Sequence, residues 1–326
     1  MPFITRAYNN IVFNPDSNTI LKTSVEKRLN DEIDYYNNLS NELKIHFPRL
    51  KSFDTLNVPY KMELEFYTYK NVARYYLSEK YTNQEFWNKF FNSLFSIISA
   101  FKKDKKNYTK QQIKLFCKNM FIDKTINEYN NLKNNFSYFS ELCSRKEIYL
   151  NNIKYNNFDD IWQKIENKIF LMIEKQENFN VIHGDMCFSN ILLGYDEDIE
   201  NITIKFVDPR GSFGEKGIYG SSLYDYAKIL HSIDGNYESF IYDKFILLEE
   251  NEKYNLKILN NKINEEICIN EFKKNLSNQE FLDSKLIEGL IFIGMCARHY
   301  DSLERQKAMY LTGIRILNEV LYEDMR

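Results

Sequence analysis

The sequence predicts an α+β fold in two unequal parts: a small β-rich N-terminal part and a larger, mainly helical part that encloses one hairpin. Three observations predict it. Short apolar runs broken by turn residues occupy residues 10–66. Helical spacing takes over from about residue 70. Short β runs then return on either side of a polar stretch, VIHGDMCFSNILL, from Val181 to Leu193. The boundary is placed between residues 68 and 69, giving parts 1–68 and 69–326.

Residues 10–24, NIVFNPDSNTILKTS, read as a hairpin: Ile11–Phe13 and Thr19–Lys22 are strand-like, and Asn14-Pro15-Asp16-Ser17-Asn18 is turn chemistry. Val25 to Leu43 reads as a helix with Leu29, Ile33, Tyr36 and Leu43 on one side. Glu32 falls on that same side, and an inward carboxylate needs a partner. In VPYKMELEF, Val58 to Phe66, Tyr60, Met62, Leu64 and Phe66 alternate with charged residues, as in a half-buried strand. Trp87, Phe90, Phe91, Leu94, Ile97 and Ile98 then form a helical stripe, and Phe158 to Ile173 repeats the pattern. Val181-Ile182 and Ile191–Leu193 flank the polar stretch. The turn-rich GYDEDIEN leads into ITIKFVD, where Ile202, Ile204 and Phe206 alternate. Ser221 or Ser222 is placed to cap a helix that Gly235 ends, and Phe281 to Tyr322 reads as two more helices.

Composition excludes several classes. With 44% hydrophobic and 27% charged residues, the 326-residue chain suits a soluble globular protein. A formal net charge of −3 offers no field for nucleic acid, and the basic run FKKDKK at 101–106 reads as solvated surface. The five cysteines are widely spaced, with no CxxC pair, so they read as free thiols in a reducing compartment. The start, MPFITRAYNN, lacks the pattern of a signal peptide, and no apolar run approaches the ~18 residues of a membrane span. A cytoplasmic protein is expected. With 24 Tyr and 25 Phe, an aromatic residue in any pocket carries no information.

Asp185 and Asn190 lie five residues apart on one loop, and Asp208 ends the ITIKFVD strand. If Ile191–Leu193 pairs with Ile202–Val207, Asp208 is carried back beside the loop. An amide oxygen and a carboxylate flanking one gap are ligands that Mg2+ accepts when ATP phosphates complete its shell. Asp185 is then left to receive a proton from an attacking hydroxyl. Cys187, inside the loop, reads as a small apolar filler.

HGDMCFSN followed by VDPRG resembles the aminoglycoside phosphotransferase and choline kinase group, whose pattern is H-G-D-x4-N with an Ile/Val-Asp strand end beyond it. The resemblance is specific from Val181 to Tyr237 and weaker over residues 10–70. It implies a two-lobed, protein-kinase-like fold with catalytic loop 181–193, metal-binding segment 206–211, and ATP and Mg2+ as cofactors. It makes Asp185 the catalytic base and Asn190 and Asp208 the metal ligands. His183 would brace the loop, and Asp225 would hydrogen-bond the loop backbone. Lys22 would meet the α/β-phosphates, paired with Glu32, with Glu26 as the rival partner. The backbone of Met62, Glu63, Leu64 and Phe66 would hold adenine. Asn9 to Ser17, where a phosphate-covering turn is expected, contains no glycine. Phosphates would then rest mainly on Lys22 and magnesium, and a nucleotide-binding pseudokinase stays open as an alternative.

The group's acceptor pocket maps near Tyr219–Asp225 and Cys296–Gln306, which makes Arg210, Tyr219, Arg298 and His299 candidate substrate contacts. Arg298, His299 and Arg305 make that tail more basic than a site for a polycationic antibiotic should be. A sugar, sugar phosphate or other polyol is favoured, and VDPRG resembles phosphotransferase-like proteins of surface-polysaccharide synthesis. Choline, ethanolamine and aminoglycosides are the alternative acceptors. A metal-dependent phosphohydrolase using His183, Asp185 and Asp208 is a further alternative, although His46, His183, His231 and His299 form no HxH or HD pair.

Overall fold

The computed structural model describes residues 9–196 and 201–323. Residues 1–8 and the tip of the GYDEDIEN turn, 197–200, lie outside the described residues. The N-terminal part is a four-stranded antiparallel sheet in the spatial order Asn9–Asn14, Thr19–Ser24, Tyr60–Glu65, Leu50–Asp54. Tyr60, Met62 and Leu64 point inward, as the alternation requires, and share a core with Leu29, Ile33 and Tyr36 of helix Arg28–Asn38.

That helix is shorter than expected. It stops at Asn38, and a separate turn of helix spans Asn41–Lys44. Leu39 and Ser40 are extended between them, with ψ of 141° and 155°. Asn37 and Asn38 are weak helix formers, and Ser40 takes the extended conformation of a residue preceding a helix.

Strand Lys70–Asn71 carries the chain into the larger part by pairing with Ile191–Asp196, which in turn pairs with Asn201–Phe206. The basic run is partly structural: Lys105–Lys106 is a short strand beside Phe179–Val181. Helix Ser222–Ile233 is buried from Tyr224 to Ile233 and packs on helix Asn278–Met295, which packs on Leu303–Glu323. Ser221 precedes that first helix but does not cap it; its hydroxyl donates to Gln176. The core of the small part runs on into the larger one: Phe47 stacks on His183 at 6.2 Å and meets Phe206 at 5.7 Å. The floor of the polar loop is therefore packed against the N-terminal sheet and helix.

A second four-stranded sheet was not expected. Its order is Phe245–Glu250, Lys253–Ile258, Glu147–Leu150, Ile153–Asn156. Both of its hairpins turn through two consecutive positive-φ residues, Asn151-Asn152 and Asn251-Glu252, without the glycine that usually signals such turns. All five cysteines are buried free thiols. Among the described residues no helix is long and apolar enough to cross a membrane.

Candidate active site

The loop after strand Phe179–Val181 is held from below by one side chain. Asp225, in the first turn of helix Ser222–Ile233, accepts the backbone N–H of His183 at 2.8 Å and of Gly184 at 2.7 Å. Burial pushes its carboxyl up to about 7, against the pull of those two donors. His183 is fully buried and burial lowers it to about 4, so its ring stays neutral. Its Nδ1 accepts from Asp185 N at 3.2 Å, which leaves Nε2 to donate to Val207 O at 3.0 Å. Gly184 has φ +77°, and a Cβ there would stand 2.7 Å from Arg210 Cβ. Further along, Phe188 N donates to Ser232 Oγ, while Ser189 N and Ser232 Oγ both donate to buried Glu238. Burial pushes Glu238 up to about 7.

Asp185 faces two ways. Its Oδ1 lies 2.8 Å from Lys228 Nζ, and its Oδ2 accepts from Asn190 Nδ2 at 3.2 Å. Burial alone would raise its carboxyl, but Lys228 outweighs burial and holds it well below the usual carboxylate range. Lys228 shifts in the matching direction, upward: burial pulls it down, and Asp185 together with Cys187, Tyr224 and Tyr237 more than offsets that.

The hairpin folds back in the expected register. Ile191 pairs with Phe206, and Val207 N donates to Asn190 O at 3.0 Å, so Asp208 begins one residue from the loop. Asp208 has φ +59°, a left-handed conformation that costs a non-glycine residue ~1 kcal/mol or more. Its carboxylate opens to the cleft and contacts Lys22. Enclosure by the cleft walls would raise it; Lys22 outweighs that and lowers it. Lys22 Nζ also lies 2.6 Å from Glu32 Oε2. Glu32 is buried, and burial pushes it up to about 7 even beside the ammonium. Glu26 is exposed and is not the partner.

A divalent cation fits between the loop and the strand end. Asn190 turns its amide nitrogen to Asp185, which leaves the ligating oxygen without a hydrogen-bond partner among the described residues. The Asp208 carboxylate is the adjacent anion. Among the described residues no group of three or more His, Cys, Asp and Glu side chains is arranged to bind a metal.

Two expectations about the nucleotide need correction. Met62, Glu63 and Leu64 cannot offer their backbone to adenine. They sit in a central strand paired on both edges, Met62 with Lys22 and Phe53, Glu63 with Leu21 and Ser52, Leu64 with Ile20 and Leu50. Phe66 N already donates to Asn18 O at 3.0 Å. That same bond shows that the turn of the first hairpin does not cover Lys22. It lies at the Phe66 end of the sheet, three strand positions or ~10 Å away.

A cavity opens beside Asp185, lined in part by Arg210, Arg298 and His299. Tyr219 and Arg305 are not in its wall. Tyr219 donates to Asp104, and Arg305 is held by Asp243, Asp301 and Phe240 O. Lys124 and Lys228, which line it, were not expected from sequence. The available signal was a lysine inside YDYAKILHSI, a helix with no polar face to carry it to water.

The whole is a small antiparallel sheet carrying a lysine–glutamate pair, joined to a larger helical part. No family model matches the chain. No curated protein matches its sequence. Among solved structures, an ethanolamine kinase from Plasmodium vivax is 15% identical over 96% of this chain and 82% of its own, with a TM-score of 0.47. An aminoglycoside phosphotransferase from Streptomyces rimosus, in complex with ADP and streptomycin, is 11% identical over 86% of this chain and 89% of its own, also at 0.47. An aminoglycoside-3'-phosphotransferase of type VIII is 10% identical over 83% of this chain and 84% of its own, at 0.45.

Proposed function

We propose that this protein is a small-molecule kinase that transfers the γ-phosphoryl group of ATP to the hydroxyl of an alcohol. One observation carries the reading: the Asp185 carboxylate bridges the two halves of a reaction site. Its Oδ2 touches Asn190, beside Asp208, and its Oδ1 touches Lys228 at the wall of the cavity. A hydroxyl held in that cavity meets Asp185 on one side and the transferred group on the other.

Asn190 and Asp208 would hold Mg2+, which when bound neutralises charge on the β- and γ-phosphates. Lys22, fixed by Glu32, supplies the ammonium for the α/β-phosphates. Residues 67–69, which follow the paired strand, take the adenine-holding role that the strand itself cannot. Asp185 stays ionised at any working pH, so it is a weak base. It orients the hydroxyl and receives its proton late, which suits a loose transition state in which the attacking oxygen gains acidity only as its bond to phosphorus forms. Residues 1–68 form the nucleotide lobe and 69–326 the acceptor lobe. The acceptor is a sugar, sugar phosphate or other polyol, of the kind used in surface-polysaccharide synthesis. The protein works in the cytoplasm, where its thiols stay reduced.

The test is ATP consumption against hexoses, sugar phosphates, choline, ethanolamine and aminoglycosides. Asp185→Asn should abolish turnover and leave thermal stabilisation by Mg-ATP intact. Normal turnover by that variant overturns the assignment. Stabilisation of the unmutated protein by Mg-ATP with no turnover on any acceptor points instead to a pseudokinase.

A further inference from the structure

The cavity beside Asp185 has an unbalanced wall. Five basic side chains line it, Arg28, Lys124, Arg210, Lys228 and Arg298, against one carboxylate, Asp185. Two of the five are neutralised. Lys228 pairs with Asp185, and Arg298 pairs with Glu128, its Nε at 3.1 Å from Oε1. The other three have no carboxylate partner among the described residues. Arg210 Nη1 donates to the Tyr224 hydroxyl at 3.2 Å, and its Nε is buried with no partner at all. Lys124 makes no hydrogen bond or ion pair; its Nζ stands 5.9 Å from the centre of the Tyr224 ring. Burial first, then Arg210, Arg298 and Lys228, drive its ammonium well below the ordinary lysine value. Cations are gathered at such cost when an anion completes the site.

These cations are not simply the nucleotide's. Lys124 opens helix Lys124–Asn135 and Arg298 ends the turn Cys296–Arg298, elements that contribute nothing to the Lys22–Glu32–Asp208 cluster. With Lys228, they lie across Asp185 from Asn190.

We infer that the acceptor alcohol carries a phosphomonoester, seated on Lys124 and Arg210 with Arg28 beside them, while its reacting hydroxyl lies at Asp185. This deepens the kinase reading and rests on it. A phosphomonoester carries nearly two negative charges near neutral pH. Two arginines without an ion-pair partner, and a lysine whose ammonium form a bound anion would stabilise, match it better than they match a single carboxylate. Arginine and lysine together supply a forked donor and a point charge for its oxygens. A cationic alcohol is disfavoured by the same wall, because its ammonium would face Lys124 and Arg210 while the one carboxylate in the lining, Asp185, is already paired with Lys228.

Binding and turnover test this separately. The protein, saturated with Mg-ADP so that the nucleotide site is filled, is titrated with pentose, hexose, heptose and glycerol phosphates. The matched unphosphorylated sugars, a hexuronic acid, choline and inorganic phosphate are titrated alongside. At least one sugar or polyol phosphate should bind at least tenfold more tightly than its unphosphorylated match and than the hexuronic acid. Lys124→Met should weaken that binding at least tenfold while retaining Mg-ADP, and Lys124→Arg should restore most of it, which separates a lost charge from a misfolded wall. Overturning results are preferred binding of a neutral, carboxylated or cationic alcohol, no binding by any phosphate in the panel, or unchanged affinity in Lys124→Met. Phosphate-dependent binding without turnover by any member would sink the kinase reading and keep the anion site. Turnover of an uncharged alcohol would do the reverse.

Discussion

Lys228 Nζ lies 2.8 Å from Asp185 Oδ1, and this contact decides how the central carboxylate behaves. Lys228 is buried and Asp185 is half-buried at the cavity wall, and each raises the cost of losing the other. If Lys228 is replaced by methionine, the main group opposing burial at Asp185 is lost, leaving His183 and Arg28, and its carboxyl titrates upward from well below the usual range. Turnover needs the ionised form, so the acid limb of the kcat–pH profile should move to higher pH and kcat near neutrality should fall about tenfold or more. Lys228→Arg should bring the limb most of the way back. A limb that does not move in Lys228→Met shows that Lys228 does not set the charge state of Asp185.

Lys22 and Glu32 form the other buried pair, at 2.6 Å. Removing only the cation leaves a carboxylate with no partner inside the N-terminal core. Lys22→Met should therefore cost about 3 kcal/mol of stability in urea melts. Adding Glu32→Gln should recover most of that loss. On the kinase reading, the double variant should still fail to gain thermal stability from Mg-ATP, because the ammonium proposed to bind phosphate is gone. Full recovery of the nucleotide response in the double variant would remove Lys22 from the phosphate site.

How much of this was legible follows from the range over which each feature is determined. The convergence of Asp185, Asn190 and Asp208 is local: it needs a five-residue spacing and one alternating hairpin, and both are written in consecutive residues. Glu32 was legible because it breaks an apolar side of a helix. Met62–Leu64 were misplaced because a strand paired on both edges and a strand leading into an open connection show the same alternation. Only the partners Lys22 and Phe53, far apart in sequence, tell them apart. Lys124 and Lys228 were missed because lysine is ordinarily a surface residue; Lys228 was marked only by lying in a helix with no polar face, and no such pattern marks Lys124. The second sheet was missed because its turns use asparagine and glutamate where glycine is the usual sign.

Gly211 controls how closely the segment after Asp208 approaches the helix carrying Glu32. It has φ +67°, and a Cβ there would stand 2.2 Å from the backbone oxygen of Asp31. Backbone on backbone has no rotamer by which to yield. Gly211→Ala should cost about 2 kcal/mol or more in stability. It should also raise the KM for ATP, by pushing the helix, and with it Glu32, away from Lys22. Gly217, where a Cβ meets nothing within 4 Å, is the control for the clash, although its φ of +144° leaves some backbone strain. Equal losses at the two positions would show that the close approach to Asp31 does not matter.

Glu238 links the catalytic loop to pH. It is fully buried, accepts from Ser189 N and Ser232 Oγ through Oε1, and its Oε2 has no partner. Burial holds its carboxyl at about 7, above the 4.5 of an unhindered glutamate. The folded form therefore binds a proton that the unfolded chain has released between those values. The stability that this proton contributes is fully present below pH 4.5 and is lost as pH rises through about 7. Glu238→Gln keeps an acceptor for Ser189 and Ser232 but cannot ionise. Thermal melts should show the variant gaining on the unmutated protein as pH goes from 5 to 8, by on the order of 1–3 kcal/mol. A difference between the two proteins that stays constant across that range would mean Glu238 keeps the same protonation state throughout. The loop would then rest on a carboxyl whose charge does not answer to pH.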